Sequence, residues 1–434
     1  MKGLSFYFNA KVIIKKVWYF GGIDLVHSRE QAQAIVMALK NGVVPHDISS
    51  IETGRKEEFQ ELENTLNIVS SGNGLVKFVG GEYGSGKSFL LKAFQQKALD
   101  QNFVVANIQI DKGLRFNNFH ALYYHILHNL MIKDFPHQKT SFKDLFNRWI
   151  VNLQLSDNKE DSAAAINQVI TDLNQYNISF SRALLFYLRA RIQKDQELAN
   201  VVASWLSGEK NIPYFLKKKF EIVGDIDKTN AIDFLKSFIR LIKWLGYKGL
   251  VILVDELELV MNERSDIRQA AYENLRYIVD NSFNGHFNHS LFLFAATKEW
   301  FQHQEKGPKT YPPLSQRIGK WSDKKHFVQS NPILILSRPN TDDFQEITIK
   351  IVKIYIFAYE FDLKISEDSL HNWVTLLLQQ DGVKSEDINM RIYSMKLIEF
   401  LDLMKSNPNS RGFHSELKSV SYNGKLQFIQ TLNN

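Results

Sequence analysis

The chain has 434 residues, of which 44% are hydrophobic and 23% are charged, and it contains no cysteine. This composition is typical of a folded protein of two or three domains, and it excludes a disordered chain, a disulfide framework and a thiolate metal site. The net charge of +6 is mild for this length, so it permits contact with nucleic acid without requiring it.

The first twenty residues are basic and aromatic, with four lysines and no acidic residue. The lysines interrupt the apolar run and no small-residue cleavage site follows, so we do not predict a signal peptide. No uninterrupted apolar stretch approaches the roughly 18 residues that a membrane span needs. We therefore expect a cytoplasmic protein that makes no contact with a membrane.

A first amphipathic helix follows this basic arm, and together they form a predicted region of residues 1–50. Ser28 opens the helix, Asn41 and Gly42 end it, and its apolar residues recur at helical spacing. The turn Thr53-Gly54-Arg55 then precedes a second helix. Such a turn can lie beside the adenine of a nucleotide or be a solvated loop, and the sequence leaves both interpretations open.

Residues 75–90 contain the strongest motif of the chain, an apolar run that enters a glycine-rich loop and then a helix. The spacing is that of the P-loop, in which backbone N–H groups and the N-terminus of the helix bind a triphosphate. Lys87 is expected to reach the β- and γ-phosphates, and Ser88 to ligate Mg²⁺. The predicted ATP contacts are Gly81, Glu82, Tyr83, Gly84, Ser85, Gly86, Lys87, Ser88 and Phe89.

A predicted helix at residues 88–100 and a strand at 103–111 continue the series and favour a parallel sheet covered by helices. Residues 116–223 then have irregular helical patterns with many aromatic residues, and we predict an inserted helical module. We expect the aromatic residues to form its core rather than a platform for stacking bases. The run Lys217-Lys218-Lys219 is expected to be a solvated helix face, with contact to a phosphate backbone as the alternative.

The strand at residues 251–254 ends in two acids, Asp255 and Glu256. Ligands of an open α/β sheet bind outside the carboxyl ends of its strands, so this pair is expected at the nucleotide. Asp255 would hold Mg²⁺ through water, and Glu256 would orient or deprotonate the water that attacks the γ-phosphate. Glu258 is a secondary candidate, because it would share the side-chain direction of Glu256 if the strand continued.

Further apolar strands are predicted at residues 290–297 and 332–337, which completes a doubly wound α/β core of residues 51–115 and 224–339. Thr297 ends the first of these strands, where it can reach the γ-phosphate or the water, or simply terminate the strand. Arg317 can serve the nucleotide of a neighbouring subunit as a trans-acting finger, or be a surface charge.

Residues 340–434 are predicted to be a helical C-terminal lid. Thr341 is expected to cap its first helix, and further helices are expected from about residue 366 and over residues 389–405. No strand is predicted there, and the last residues are expected to be a loop and a weakly structured tail. Arg391 is a candidate for phosphate contact from the side of the lid.

These features together resemble the AAA+ superfamily, near its origin-recognition and STAND branches. More closely, the sequences RKEEF, FVGGEYGSGKSFLLK, FVVANIQID, ASWLSGE, LGYKGLVILVDELE and LSQRI, in this order, resemble the ATP-binding proteins of BREX phage-exclusion systems, of the BrxD kind. The similarity extends from about Arg29 to beyond Arg391. It implies the Walker A role for Lys87 and Ser88, the Walker B role for Asp255 and Glu256, a sensor at Thr297 and a finger at Arg317. The basic arm is unlike this family.

The resemblance implies ATP and Mg²⁺ as cofactors and a place in bacterial anti-phage defence. Its partners would be other defence-system proteins, with DNA and further copies of this chain also allowed. Three functions stay open at this stage. The chain can be an ATPase that assembles or remodels partners on DNA, a nucleotide-gated switch that hydrolysis resets, or a DNA-binding scaffold that holds ATP as a structural ligand.

Overall fold

A computed structural model describes residues 28–111, 113–136, 138–155, 159–221, 224–322, 331–360, 367–378, 389–406, 417–422 and 425–430. The basic arm of residues 1–20 lies outside these ranges. The α-helices of the described residues are α1 Arg29–Lys40, α2 Lys56–Ser70, α3 Lys87–Asp100, α4 Phe119–Leu127, α5 Phe142–Leu155, α6 Lys159–Asn174, α7 Ile178–Ile192, α8 Gln196–Leu206, α9 Tyr214–Lys219, α10 Ala231–Trp244, α11 Ser265–Phe283, α12 Lys298–Gln302, α13 Pro312–Ile318, α14 Thr341–Tyr359, α15 Glu367–Leu378 and α16 Met390–Ser406.

The central sheet has six strands in the order β3-β2-β4-β5-β1-β6. Their bounds are β1 Leu75–Gly81, β2 Val104–Gln109, β3 Leu130–Met131, β4 Leu250–Asp255, β5 Ser290–Thr297 and β6 Ile333–Leu336. All pairs are parallel except β2 with β3, which is antiparallel at the edge. The predicted α/β class with a mostly parallel sheet is thus confirmed, while the short β3 is a strand inside a region predicted to be helical.

Helices cover both faces of this sheet, because successive residues of a buried strand point to opposite sides. On β1, Val79 packs with α2 and α3 through residues such as Leu66 and Phe94. Its neighbour Phe78 faces the other layer, where α11 and the helices of residues 116–223 pack. Strands buried on both faces explain why β4 and β5 are continuous apolar runs.

The core of the inserted helices is continuous with that second layer. Tyr123, Phe180 and Trp205 are buried and meet the ring of Phe234 on α10, with centroids 6.2, 5.9 and 5.4 Å away. Edge-to-face pairs at such distances favour fixed packing over a fluid cluster. The prediction that the insertion's aromatic residues are core is wrong for two of them, since Tyr214 and Phe215 on α9 are exposed.

The helix α1 packs with the C-terminal helices instead of the sheet. Its buried Ile35 and Val36 belong to one apolar cluster with residues of α14, α15 and α16. The first of these helices starts at Thr341, but its cap is Asn340, whose side chain accepts from the N–H of Asp343 while Asp343 accepts from the N–H of Asn340. The capping position therefore lies one residue before the one predicted, in a reciprocal capping box.

The C-terminal tail holds an antiparallel pair of strands, β7 Leu417–Tyr422 and β8 Lys425–Gln430. The prediction of a weakly structured tail is wrong for these residues. The signal was present in the sequence, because Asn423-Gly424 separates two runs of alternating polarity and Asn-Gly favours a two-residue hairpin turn.

One charged pair interrupts the apolar layer between β1 and α2. Lys77, in the middle of β1, forms a buried ion pair with Glu61 of α2, and its Nζ also donates to the carbonyl of Asn331 at 3.2 Å. A lysine inside a central strand is tolerated only when its charge is paired. This pair fixes α2 against the strand that leads into the P-loop.

Candidate functional site

The loop after β1 is built for a ligand with many oxygen atoms. Gly84 and Gly86 have φ angles of +81° and +90°, in the left-handed region that favours glycine. A Cβ atom at Gly81 would lie 2.3 Å from Oγ of Ser85, so a side chain would displace the loop. The buried Oγ of Ser85 has no hydrogen-bond partner, which makes it a donor that a bound phosphate can satisfy.

Lys87 opens α3 and turns its amine back into the loop. Its Nζ donates to the carbonyl oxygens of Glu82 at 3.0 Å and Gly81 at 3.3 Å. Burial lowers the pKa of this amine, and the carboxylates of Glu258, Asp255, Glu82 and Glu256 act in the opposite direction. The lysine is therefore a buried amine within electrostatic reach of several carboxylates, in the position where a phosphate would replace the two carbonyl contacts.

The acidic pair lies at the end of β4, with Asp255 as the last residue of the strand and Glu256 directly after it, and its backbone is unusual. Oδ1 of Asp255 accepts from the N–H of Glu256 at 2.9 Å. Glu256 then has φ of +60° and ψ of +38°, a left-handed conformation that costs energy for a residue with a Cβ. The strand ends there, and a 3-10 helix, Leu257–Asn262, begins.

That turn brings Glu258 back to the carboxyl edge of the sheet. Oε2 of Glu258 accepts from the backbone N–H of Thr297 at 3.3 Å. Burial raises the pKa of Glu258, with Lys87 opposing this shift. Glu258 is expected to share the side-chain direction of Glu256 if the strand continues, and that condition is not met, because β4 ends at Asp255. Glu258 nonetheless belongs to the site, for a reason that only the turn provides.

Thr297 lies directly beside the P-loop. In the parallel register of β1 and β5 it is the partner of Gly81, the last residue before the loop. The next residue, Lys298, forms an ion pair of 3.7 Å with Glu82 of the loop. The position of Thr297 is thus where the sequence placed it, and a role toward the γ-phosphate stays a prediction.

Arg55 is a residue of the site whose contacts sequence reasoning missed. Its guanidinium donates to the carbonyl of Ser85 in the P-loop at 2.8 Å and to the carbonyl of Ser337, just after β6, at 2.7 Å. It also contacts Oε1 of Glu58 at 3.1 Å, and its side chain is only 10% exposed. The interpretation of this turn as a solvated loop is wrong for Arg55, which joins α2, the P-loop and the start of the C-terminal helices.

The C-terminal helices reach the P-loop through the first turn of α16. A Cβ at Gly84 would lie 2.7 Å from Cβ of Asn389, whose Oδ1 caps this helix by accepting from the N–H of Ile392 at 2.9 Å. Arg391 follows on the same turn with an exposed side chain, and its stem lies against Gly42 after α1. Arg391 is therefore close in sequence to the contact with the loop, and phosphate binding by it stays a prediction.

The remaining loop residues differ in their surroundings. Ser88 is exposed on the first turn of α3, where its hydroxyl can meet a ligand, and Tyr83 at the tip of the loop is 82% exposed. Phe89 packs against two apolar clusters. One is formed by α2, α3 and the strands of the sheet, and the other by α1 and the C-terminal helices. Contact of Phe89 with the nucleotide would therefore be made by its backbone.

Arg317 is held away from the P-loop by its own chain. Its guanidinium forms an ion pair with Asp280, near the C-terminal end of α11, and donates to the carbonyl of Pro313 at 2.6 Å. The helix α11 starts after the acidic cluster and ends before β5, so Asp280 lies toward the amino ends of the strands. Arg317 cannot act on the nucleotide of the same chain from there, and its role in trans stays a prediction.

The residues fit ATP and Mg²⁺. The loop offers glycines without side chains, the buried hydroxyl of Ser85 and the amine of Lys87, while Ser88 and Asp255 offer one hydroxyl and one carboxylate for the metal. Among the described residues no three His, Asp or Glu side chains converge on a metal position. Mg²⁺ in nucleotide sites is commonly held by one or two protein oxygens together with water and substrate phosphates, and Ser88 and Asp255 offer two such oxygens.

Comparisons with known proteins found one family and several solved structures to which the chain is similar. The family model described as "BREX system ATP-binding protein BrxC/D" matches residues 27–418. Domain III of the Thermotoga maritima replication initiation protein DnaA is 10% identical over 85% of this chain and 92% of that chain, with a TM-score of 0.36. The Walker-type ATPase paby2304 of Pyrococcus abyssi is 12% identical over 83% and 77%, with a TM-score of 0.35. No curated protein matches the sequence. No helix of the described residues is long and apolar enough to cross a membrane.

Proposed function

This chain belongs to the BREX system ATP-binding protein BrxC/D family, and we propose that it hydrolyses the ATP that it binds and couples this cycle to the assembly or remodelling of partner proteins on DNA. One observation carries the proposal of hydrolysis. The buried amine of Lys87 in the P-loop lies within electrostatic reach of the carboxylates of Asp255, Glu256 and Glu258, at and just after the end of β4, and the N–H of Thr297 beside Gly81 donates to Glu258 at 3.3 Å. A protein that only held a triphosphate would need the lysine and the metal acid, and not the further carboxylates.

Each residue of the loop has a role in binding. The backbone N–H groups of Gly84, Gly86 and Lys87 and the N-terminus of α3 receive the phosphate oxygens. Lys87 neutralises charge on the β- and γ-phosphates, and Ser88 and Asp255 would hold Mg²⁺. The metal would supply charge neutralisation on the phosphates when bound. Binding also replaces the contacts of Lys87 with the carbonyl oxygens of Gly81 and Glu82.

Glu256 is the residue proposed to act on the water. It accepts a proton from the water as the oxygen attacks the γ-phosphorus, and the bond from that phosphorus to the β,γ-bridging oxygen breaks to leave ADP and phosphate. Its left-handed backbone ends β4 and starts the 3-10 helix, so Glu256 lies at the carboxyl edge of the sheet, next to the predicted metal ligand Asp255. Thr297, beside Gly81, would orient the water or the γ-phosphate.

A nucleotide-gated switch is the second candidate, and one contact favours it. Gly84 of the P-loop touches Asn389, the cap of α16. A change in the conformation of the P-loop on binding ATP would therefore directly displace the first turn of α16, where Arg391 lies. In this function ATP binding sets an assembly state with other defence-system proteins or further copies of the chain, and slow hydrolysis resets it.

Two substitutions test the proposed function and separate it from the switch. Glu256→Gln should keep ATP affinity and lower turnover by about 10²- to 10⁴-fold, the usual contribution of a general base. Lys87→Ala should abolish ATP binding in calorimetry. Steady-state phosphate release and ATP affinity are measured for both variants and the unchanged protein, with and without DNA. Turnover that survives Glu256→Gln removes Glu256 from the chemistry. A protein that binds ATP tightly but releases phosphate only slowly, with or without DNA, supports the switch.

A further inference from the structure

The segment of residues 208–219, which runs from the end of α8 through α9, exposes two adjacent aromatic side chains that are more exposed than the other aromatic residues described in residues 116–223. Tyr214 is 69% exposed and Phe215 is 65% exposed, whereas Tyr123, Phe180 and Trp205 are buried. Leaving a large side chain in water forgoes about 1.5–3 kcal/mol of burial for each residue. Two adjacent exposed aromatic rings therefore indicate a surface that contacts something else.

The same segment is positively charged. It has four lysines and one acid, Glu209. Lys217 is held by Asp225 at 2.9 Å, while Lys210, Lys218 and Lys219 are exposed. Two exposed aromatic rings with lysines on either side in the sequence suit a ligand with flat apolar faces joined by negative charges.

An open cavity of about 340 Å³ adjoins this segment. One wall is α4 with Asn118, Tyr124 and His125, and the other is the start of the segment with Lys210 and Asn211. The walls are held together by hydrogen bonds, since the ring of His120 contacts the carbonyl of Gly208 at 2.9 Å. The ring of His128 likewise contacts Glu209 at 3.0 Å. The cavity is therefore a formed feature and not a gap between loose loops.

The chemistry of the cavity fits a nucleobase. The ring of Tyr124 is stacked on that of His128 with centroids 3.9 Å apart, so its plane is fixed. The amides of Asn118 and Asn211 line the same space. A planar aromatic wall with amide groups beside it can stack a base and bond its edge. Burial lowers the pKa of His125, so its ring offers a neutral nitrogen rather than a second positive charge.

We propose that the cavity and the 208–219 segment form a binding site for single-stranded nucleic acid. One base enters the cavity beside Tyr124, following bases stack on Tyr214 and Phe215, and Lys210, Lys218 and Lys219 contact the phosphates. Asn211 and Tyr214 are three residues apart, so their Cα atoms are at most about 11 Å apart, a span of a few nucleotides. In a duplex the bases already stack on each other, so the exposed rings select an unpaired strand.

The site also has a connection to the nucleotide site. Gly113, which lines the cavity, follows β2 closely, and the last residue of β2, Gln109, is the register partner of Asp255 on β4. The proposed nucleic-acid site therefore lies near the carboxyl edge of the β-sheet. This is also the edge at which the proposed ATP site lies. The inference deepens the DNA contact of the proposed function and rests on that function for its setting, but the binding itself needs no hydrolysis.

The test measures fluorescence anisotropy of labelled oligodeoxythymidine, oligouridine and duplex DNA, each of about 16 nucleotides, with the full chain. Tyr214→Ala/Phe215→Ala should weaken single-strand binding at least about 10-fold, because each stacked base contributes about 1–3 kcal/mol. Lys218→Ala/Lys219→Ala should weaken it and lower the slope of log affinity against log salt by about 1.4. Comparing the affinity for oligodeoxythymidine with that for oligouridine shows whether the bound single strand is DNA or RNA.

Matched controls remove the same groups elsewhere. Phe283→Ala removes an aromatic ring that is 62% exposed on α11, and Lys306→Ala/Lys309→Ala removes two exposed lysines. Both should bind like the unchanged protein. His125→Ala tests the cavity with a substitution outside the exposed segment, its fold being checked by thermal unfolding, and it should weaken binding several-fold.

Three outcomes overturn the proposal. The first is that variants of the 208–219 segment bind single strands as tightly as the controls, and the second is that the protein prefers duplex DNA. The third is that the protein binds no nucleic acid, in which case the rings of Tyr214 and Phe215 contact a protein partner. ATP affinity and turnover are measured on the same variants and should be unchanged. A protein that loses strand binding through these residues yet never hydrolyses ATP would contradict the proposed function and leave this site intact.

Discussion

The backbone N–H of Thr297 donates to Oε2 of Glu258 at 3.3 Å, which joins the end of β5 to the turn after β4. Thr297 is also the register partner of Gly81, so this bond spans from the acidic cluster to the strand that enters the P-loop. The same carboxylate is the charge that acts most strongly on Lys87. Glu258 therefore connects three elements of the site at once, at the energetic cost of a carboxylate removed from water.

We predict that Glu258→Gln stabilises the nucleotide-free protein at neutral pH. Burial raises the pKa of Glu258, so the folded chain binds more protons than the unfolded one between the ordinary glutamate pKa of about 4.3 and the raised value. Stability of the unchanged protein therefore falls as pH rises through that window. Glutamine keeps an oxygen for the N–H of Thr297 and carries no charge.

Urea unfolding at several pH values measures this effect. The gain from Glu258→Gln should be present at pH 7 and shrink as pH falls toward the ordinary glutamate range. Glu263→Gln, a few residues further along, is the control and should show no such trend. A gain that is independent of pH, or a loss at every pH, contradicts the proposed cost of burying the charge.

A second prediction concerns Arg55. Arg55→Ala removes the partner of two carbonyl oxygens, at Ser85 and Ser337, and of the carboxylate of Glu58. Because these hydrogen bonds are lost from groups that are partly or fully buried, we expect a loss of about 1–3 kcal/mol in the free energy of unfolding. We also expect weaker ATP binding, because the carbonyl of Ser85 belongs to the P-loop.

The measurements are urea unfolding and ATP calorimetry. Arg29→Ala, which removes an arginine from an exposed pair with Glu360, should change neither quantity appreciably. Arg55→Lys should remain weaker than the unchanged protein, since a single ammonium does not have the forked geometry of a guanidinium. Normal ATP affinity in a folded Arg55→Ala protein would show that the P-loop keeps its shape without this contact.

The third prediction concerns the buried pair of Lys77 and Glu61. Glu61→Ala deprives the ammonium of its carboxylate inside the sheet layer and should cost about 3–5 kcal/mol of unfolding free energy. Replacing both residues by apolar ones, in Lys77→Met/Glu61→Leu, should cost much less, because no charge is then left in the core. Denaturant unfolding of the two variants decides this. A double variant as unstable as Glu61→Ala would mean that packing, and not charge, explains the loss.

The features that were predicted correctly from the sequence are those that a local sequence pattern determines. The P-loop around Lys87 follows from glycine spacing, Asp255 and Glu256 follow from an apolar run that ends in acids, and the parallel sheet then brings Thr297 beside Gly81. These features depend on neighbours in the sequence or on one rule of strand direction.

What the sequence did not predict depends on contacts between distant residues. Arg55 contacts Ser337, and Gly84 lies close to Asn389. Glu258 is turned toward Thr297 by the left-handed backbone of Glu256, and the sequence did not indicate this conformation because Glu256 is not a glycine. Such contacts have no period and no local motif, because tertiary packing decides them. The exposure of Tyr214 and Phe215 is of the same kind, since composition alone does not distinguish a core ring from a surface ring.

The last prediction concerns Arg317 and the state in which it acts. In the isolated chain its guanidinium is bound by Asp280, so a trans-acting role requires that a neighbouring subunit's nucleotide compete with that carboxylate. Arg317→Ala should therefore lower turnover in an assembled protein by about 10³-fold, as for other arginine fingers, and leave turnover of a monomer unchanged.

Asp280→Asn provides the matched variant, because it weakens the hold on Arg317 without removing the guanidinium. ATP turnover per site is measured as a function of protein concentration, and the mass of the protein in ATP is determined at the same concentrations. Turnover should rise or stay the same in Asp280→Asn. In Arg317→Ala it should collapse only at concentrations at which oligomers form. Equal loss in both variants would instead indicate that the pair of Arg317 with Asp280 stabilises α11 and α13. The charge at Arg317 would then be structural, because breaking the pair from either side would have the same effect.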